Sequence, residues 1–108
     1  MSELVSVYVT APSREVALQL AREVVEARLA ACANVWSGVT SVYEWQGVLT
    51  EEAEVVLVLK TRRSAFEALR ARLVAAHPYE VPCVVCQPIL AGHEPFLDWV
   101  RAQVDGSD

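Results

Sequence analysis

Five consecutive apolar residues, Val55-Val56-Leu57-Val58-Leu59, limit what this chain can fold into more than any other stretch. They lie between the turn signal Gln46-Gly47 and Lys60, inside a segment, Val48 to Lys60, that reads as one strand. Neighbouring side chains on a strand point to opposite faces, so this run is apolar on both sides. Val84-Val85-Cys86 repeats the pattern further on. A sheet built on these segments needs cover on both faces.

The surrounding segments say what that sheet is made of. Leu4 to Thr10 alternates, with Val5, Val7 and Val9 on one side, and reads as a strand. Ala11-Pro12 breaks it and Ser13 is a good N-cap. From Arg14 the apolar positions Val16, Ala17, Leu20, Ala21, Val24 and Val25 recur at helical spacing, giving an amphipathic helix to about Leu29. Ala31 to Val35 and Val39 to Trp45 read as one strand with a bulge at Ser37-Gly38, joined by Gln46-Gly47 to its partner. Ser64 with Glu67 forms a capping box for a second helix that turns Phe66, Leu69 and Leu73 inward and stops at His77. A strand over Val81 to Leu90 and a last helix from Phe96 to Val104 complete the chain. Pro95 suits the first turn of that helix, and Phe96, Trp99 and Val100 share its apolar side.

The order strand, helix, strand, strand, helix, strand predicts an α+β fold. Residues 1–108 form a single domain, a ferredoxin-like βαββαβ sandwich with an extended central hairpin and a C-terminal helix. Both main helices then cover one face of a four-stranded sheet and leave the other open. Exposing some five of the apolar side chains above forgoes roughly 1.5 to 3 kcal/mol each. That sum rivals the whole net stability of a domain, about 5 to 15 kcal/mol. Copies of the same chain are the economical cover, and Trp36 and Trp45 on the hairpin are candidate contact residues.

Charge and cysteine content narrow the function. Net charge is -5, with a single lysine, Lys60, and arginines scattered among acidic residues. No basic stripe tracks a phosphate backbone, so nucleic acid is not expected as a partner. No apolar run reaches membrane-spanning length and the N-terminus has no secretory pattern, so a cytoplasmic location is expected. Cys32, Cys83 and Cys86 are odd in number and read as reduced thiols. Cys83 and Cys86, three apart on a strand, face opposite ways, which suits packing better than a shared metal.

The densest chemistry lies in His77-Pro78-Tyr79-Glu80-Val81-Pro82, two prolines enclosing an imidazole, a phenol and a carboxylate in a stiff helix-to-strand connection. The plain alternative for the same residues is a rigid connector with its polar groups in water. No Gly-rich phosphate loop is present, and no base stands in reach of a Ser or Cys nucleophile. His93 falls in a loop expected to be solvated.

Arg28-Leu29-Ala30-Ala31-Cys32 with Asn34, then Ser41, Tyr43, Trp45 and Gly47, Lys60-Thr61, the connector, and finally Leu97 and Trp99 form an ordered set. Along nearly the full length this set resembles the CutA divalent-cation tolerance proteins. The resemblance implies a homotrimer akin in shape to the PII signalling proteins, with no enzymatic reaction. It also implies binding of copper or other divalent ions in the cellular response to metals. Bacterial members place ligands at a first-strand cysteine and a histidine pair before Pro-Tyr. Here His77 matches the second histidine, while Val9 and Ala76 occupy the other two positions. Cys83 stands where the family usually has glutamate. The candidate metal ligands are therefore His77, Glu80 and Cys83. An alternative is a PII-like trimer whose inter-subunit clefts take a small anion or nucleotide, with Arg28, Lys60, Tyr79 and Trp45 as cleft residues. A third is a scaffold for a protein partner.

Overall fold

Residues 3–105 are described by a computed structural model. Its elements are β1 (Leu4–Ala11), α1 (Arg14–Glu26), β2 (Cys32–Trp45), β3 (Val48–Arg62), α2 (Phe66–Ala76), β4 (Val84–Pro88) and α3 (Glu94–Gln103). The strands form one sheet in the order β2-β3-β1-β4, and every neighbouring pair is antiparallel. β3 thus separates β1 from β2, the split βαβ order expected from the sequence.

Local chemistry sets most of the boundaries. Ser13, in an extended conformation, caps α1 by accepting a hydrogen bond from the Val16 N–H at 3.2 Å. α1 ends at Glu26, short of the expected Leu29, because Arg28 turns left-handed at φ 60°. The Arg28 N–H then bonds the Val25 carbonyl and the Leu29 N–H the Val24 carbonyl, both at 3.0 Å, closing the helix end. α2 opens through a 3-10 turn, Arg63–Ala65, so its cap falls on Ala65 with no side-chain cap bond, one residue past the expected Ser64. β4 is shorter than the predicted Val81 to Leu90. Pro82 lacks an N–H for the ladder, and pairing with β1 begins only at Val84 opposite Val9.

The main core lies between the helices and one sheet face. Val5, Val7 and Val9 meet Leu57 and Leu59 of β3 there, and Leu20, Val24, Leu69 and Leu73 close over them. α3 covers only one end of the opposite face, where Leu97, Val100 and Val104 pack with Leu4 and Ala31. The sequence expectation for this helix needs correcting. Leu97, not Phe96 or Trp99, joins Val100 inside, and the two aromatic rings lie 5.8 Å apart on the exposed side. Spacings of three and four residues put 97, 100 and 104 on one stripe.

β1 ends at Ala11 opposite Val55, so the hairpin beyond that point has two strands only. Its pairs run from Val39 with Glu54 to Trp45 with Val48, after an irregularity between Trp36 and Val39 that Gly38 accommodates at φ 95°. This ribbon stretches the protein to 44 × 25 × 22 Å, with a radius of gyration of 14.4 Å. A compact domain of this length has about 13 Å. Trp45 and Val48 lie exposed on one face of the ribbon, Val42 (61% exposed) and Leu49 (72%) on the other.

The ribbon turns at Gln46 (φ 51°) and Gly47 (φ 82°), the paired left-handed geometry of a two-residue hairpin loop. A Cβ at Gly47 meets nothing within 4 Å, so the cost of adding one is conformational alone. Gly47→Ala is expected to lower stability by about 1 kcal/mol, read from the denaturant midpoint with an unchanged m-value.

Candidate functional site

Pro78 removes the helical option for the residue before it, and α2 accordingly ends at His77, which is extended at ψ 138°. The connector from Pro78 to Cys83 then crosses the end of β1 and reaches the base of the ribbon. His77 itself is buried, 7% exposed, under this connector. Its Nδ1 accepts a hydrogen bond from the Tyr79 N–H at 3.1 Å, and its Nε2 lies 2.7 Å from the Thr10 carbonyl oxygen. A carbonyl only accepts, so the neutral ring with hydrogen on Nε2 satisfies both bonds at once. The ring also packs on Tyr79, with centroids 4.7 Å apart.

Tyr79, positioned in this way, donates its hydroxyl to Glu54 Oε2 at 2.6 Å. On the same face of the ribbon Tyr43 donates to Glu52 Oε1 at 2.9 Å. Between ribbon and connector lies a cavity of about 500 Å³. Glu52, Glu54 and Glu80 bring carboxylates to it, Tyr43, Trp45 and Tyr79 bring aromatic surface, and Val81 and Pro78 add apolar wall. Among the described residues none of the three carboxylates is in an ion pair. The negative field shows in the neighbouring groups. Burial, the bond to Glu54 and that carboxylate's charge push the Tyr79 phenol well above its usual range. The bond to Glu52 raises Tyr43. Burial, with Glu54 nearby, raises the Cys83 thiol.

The candidate metal ligands do not assemble within one chain. Both His77 ring nitrogens are committed to backbone groups, which leaves no lone pair for an ion. Glu80 and Cys83 are exposed on the connector. Among the described residues no group of three or more His, Cys, Asp and Glu side chains is placed to hold a metal ion. A single chain therefore does not fit a copper site, which wants three or four converging donors. All three cysteines are free, as expected; Cys86 is half-buried and packs against the core and Cys32 is half-buried, but Cys83 is exposed and lies before β4, which corrects the packing role expected of it.

The proposed cleft residues divide between the two ends of the sheet. Tyr79 and Trp45 line the cavity. Arg28 lies at the other end, bonded through Nε to Asp105 Oδ1 and through Nη2 to the Ala102 carbonyl, both at 3.1 Å. Lys60, opposite Ser6 and Cys32, bonds Asn34 Oδ1 at 3.1 Å. Among the described residues no cation lines the cavity to meet an anionic ligand. Glu52, Glu54 and Tyr43 were missed in the sequence reading. Their two-residue spacing along each strand of the hairpin was the available signal for a shared face.

The family model for CutA1 divalent ion tolerance protein matches residues 5–103. The chain is 48% identical over 95 residues to the Divalent-cation tolerance protein CutA of Thermus thermophilus, covering 88% of this chain and 92% of that one. It is 46% identical over 94 residues to the human Protein CutA, covering 87% of this chain but 52% of the relative, so it spans about half of that protein's length. The solved structure of the Thermus thermophilus divalent cation tolerance protein Cut A1 superposes with a TM-score of 0.91 at 45% identity, covering 94% of this chain and 99% of that one.

Tyr79→Phe removes the donor to Glu54 and is expected to cost about 1 to 2 kcal/mol near neutral pH. A phenol raised in the native state contributes stability that is intact below the ordinary phenol pKa of about 10 and is lost as pH rises through the native value. The gap between wild type and Tyr79→Phe in denaturant unfolding should therefore narrow only at strongly alkaline pH. A gap that closes near neutrality contradicts the assignment.

Proposed function

The chain belongs to the CutA1 divalent ion tolerance family, and from that premise we propose that it is a non-enzymatic protein of the response to divalent cations, working as a PII-like homotrimer. The observation that carries the assembly is the ribbon from Val39 to Glu54, two-stranded and with large apolar side chains exposed on both faces. Hairpins of this kind are marginal alone in water. Apolar side chains exposed on opposite faces are best covered by two neighbours at once, which a closed ring of copies supplies.

Copper or another divalent ion, on this reading, is taken up at the connector through Glu80 and Cys83, the two expected ligands with accessible side chains. The remaining donors come from a neighbouring copy. His77 acts from behind by holding the connector in place. The names of the relatives support the link to divalent ions, and none of them carries a reaction.

Sedimentation at micromolar concentration should give three chains per particle, and Leu49→Asp should shift it toward smaller species. A well-behaved single chain in the wild type overturns the proposal. In copper titration calorimetry, Glu80→Gln and Cys83→Ala should each weaken binding about tenfold or more, the effect of removing one of few ligands. Unchanged affinity in both variants overturns the site.

A further inference from the structure

We propose that the sheet face turned away from the helices is a polarised docking surface for a second copy of this chain, in which Lys60 of one copy meets the acidic end of the next. The inference rests on the homotrimer proposed above and adds which ends of the face come together.

Side chains alternate along β3, so Glu52, Glu54, Val56, Val58 and Lys60 share one face, opposite to that of Leu57 and Leu59. Its chemistry changes from end to end. At the ribbon end stand Glu52 and Glu54, joined at the cavity by Glu80. In the middle Val56 lies level with Trp36 and Val58 with Tyr8, and Val85 of β4 extends the second row. Trp36 and Val85 are exposed there. At the far end the row is Cys32, Lys60, Ser6 and Gln87. Lys60 is half-buried, and its ammonium bonds the neutral Asn34 Oδ1 at 3.1 Å. Among the described residues no carboxylate pairs with it. Arg62, the next cation on this face, is engaged by the Arg101 and Val104 carbonyls and by Glu3.

Glu54 and Lys60 stand six residues apart, about 20 Å along the strand, too far to neutralise one another within a chain. A ring of copies is closed by a heterologous contact, in which two different patches of the same chain meet. A face acidic at one end and cationic at the other supplies two such patches. Covering its apolar middle takes Lys60 further from water, and a charge so placed needs an opposite partner. The acidic end of the next copy provides one, whereas like ends repel. Charge thus fixes the direction in which copies follow one another.

Lys60 is the only lysine in the chain, so zero-length carbodiimide coupling of amine to carboxylate reads the contact directly. In a sample that sediments as a trimer, mass spectrometry of mixed isotope-labelled and unlabelled chains should find Lys60 joined to Glu52, Glu54 or Glu80 of another copy. Lys60→Glu should raise the concentration at which the particle dissociates about tenfold or more, and adding Glu52→Lys to it should bring that concentration back to within about threefold of wild type. Glu80→Lys, at an exposed position, replaces Glu52→Lys should the latter not fold as judged by circular dichroism. A trimer without these links, one indifferent to Lys60→Glu, or one that the second reversal fails to restore overturns this inference and leaves the assembly standing. A wild type that sediments as a single chain overturns the assembly beneath it.

Discussion

The whole arrangement depends on the two-sided burial of β3. It is bonded to β1 on one edge and β2 on the other, and its Leu57 and Leu59 face the helices while Val56 and Val58 face away. A strand with that pattern cannot sit at the rim of a sheet with one wet face without losing several kcal/mol of burial. The chain answers in two ways. α3 folds back over the Leu4 end of the second face, held by Arg62, whose side chain bonds the Arg101 carbonyl at 2.8 Å, and by Arg101, whose Nε meets Glu3 Oε1 at 3.0 Å. The remaining part of that face and the projecting ribbon keep apolar side chains exposed in the single chain, Val85 and Leu49 among them.

The candidate site is a product of the same strand. β3 continues past the end of β1 and carries Glu52 and Glu54 out of the sheet, and the connector comes to meet them. His77 makes the meeting possible. Its two hydrogen bonds tie the end of α2 to the Thr10 carbonyl and orient Tyr79, which reaches Glu54. An imidazole that looks in sequence like a metal ligand is here a bracket between three elements. That assignment explains why a buried, polar ring can stand in an otherwise apolar interior: both nitrogens are satisfied.

Much of this was legible in the sequence where local chemistry decides the outcome. Ser13, Gly38, Gln46-Gly47 and Pro78 each fix a boundary through their own backbone preferences, and the structure places caps, bulge, turn and helix stop at them. The reading failed where tertiary contacts decide. The end of α1 depends on Arg28 accepting a left-handed conformation that its chemistry does not favour, while its guanidinium ties down Asp105. Phe96 and Trp99 are as apolar as the residues α3 buries, and Leu97 is the one that meets the patch of Leu4, Ala31 and Ala65. The acidic cavity joins residues far apart along the chain, and no spacing rule brings Thr10, Glu54 and Tyr79 together.

The tight Gln46-Gly47 loop has a consequence for how the molecule comes into being. β2 and β3 meet through contacts near in sequence, whereas pairing β1 with β3 and β4 must first close long loops, so the ribbon is the element able to zip up early. Its oily surfaces then exist before anything is present to shield them. Glu44, Glu51 and Glu52, interspersed among Val42, Tyr43, Trp45 and Leu49, are exposed charges of the kind that oppose mispairing between chains.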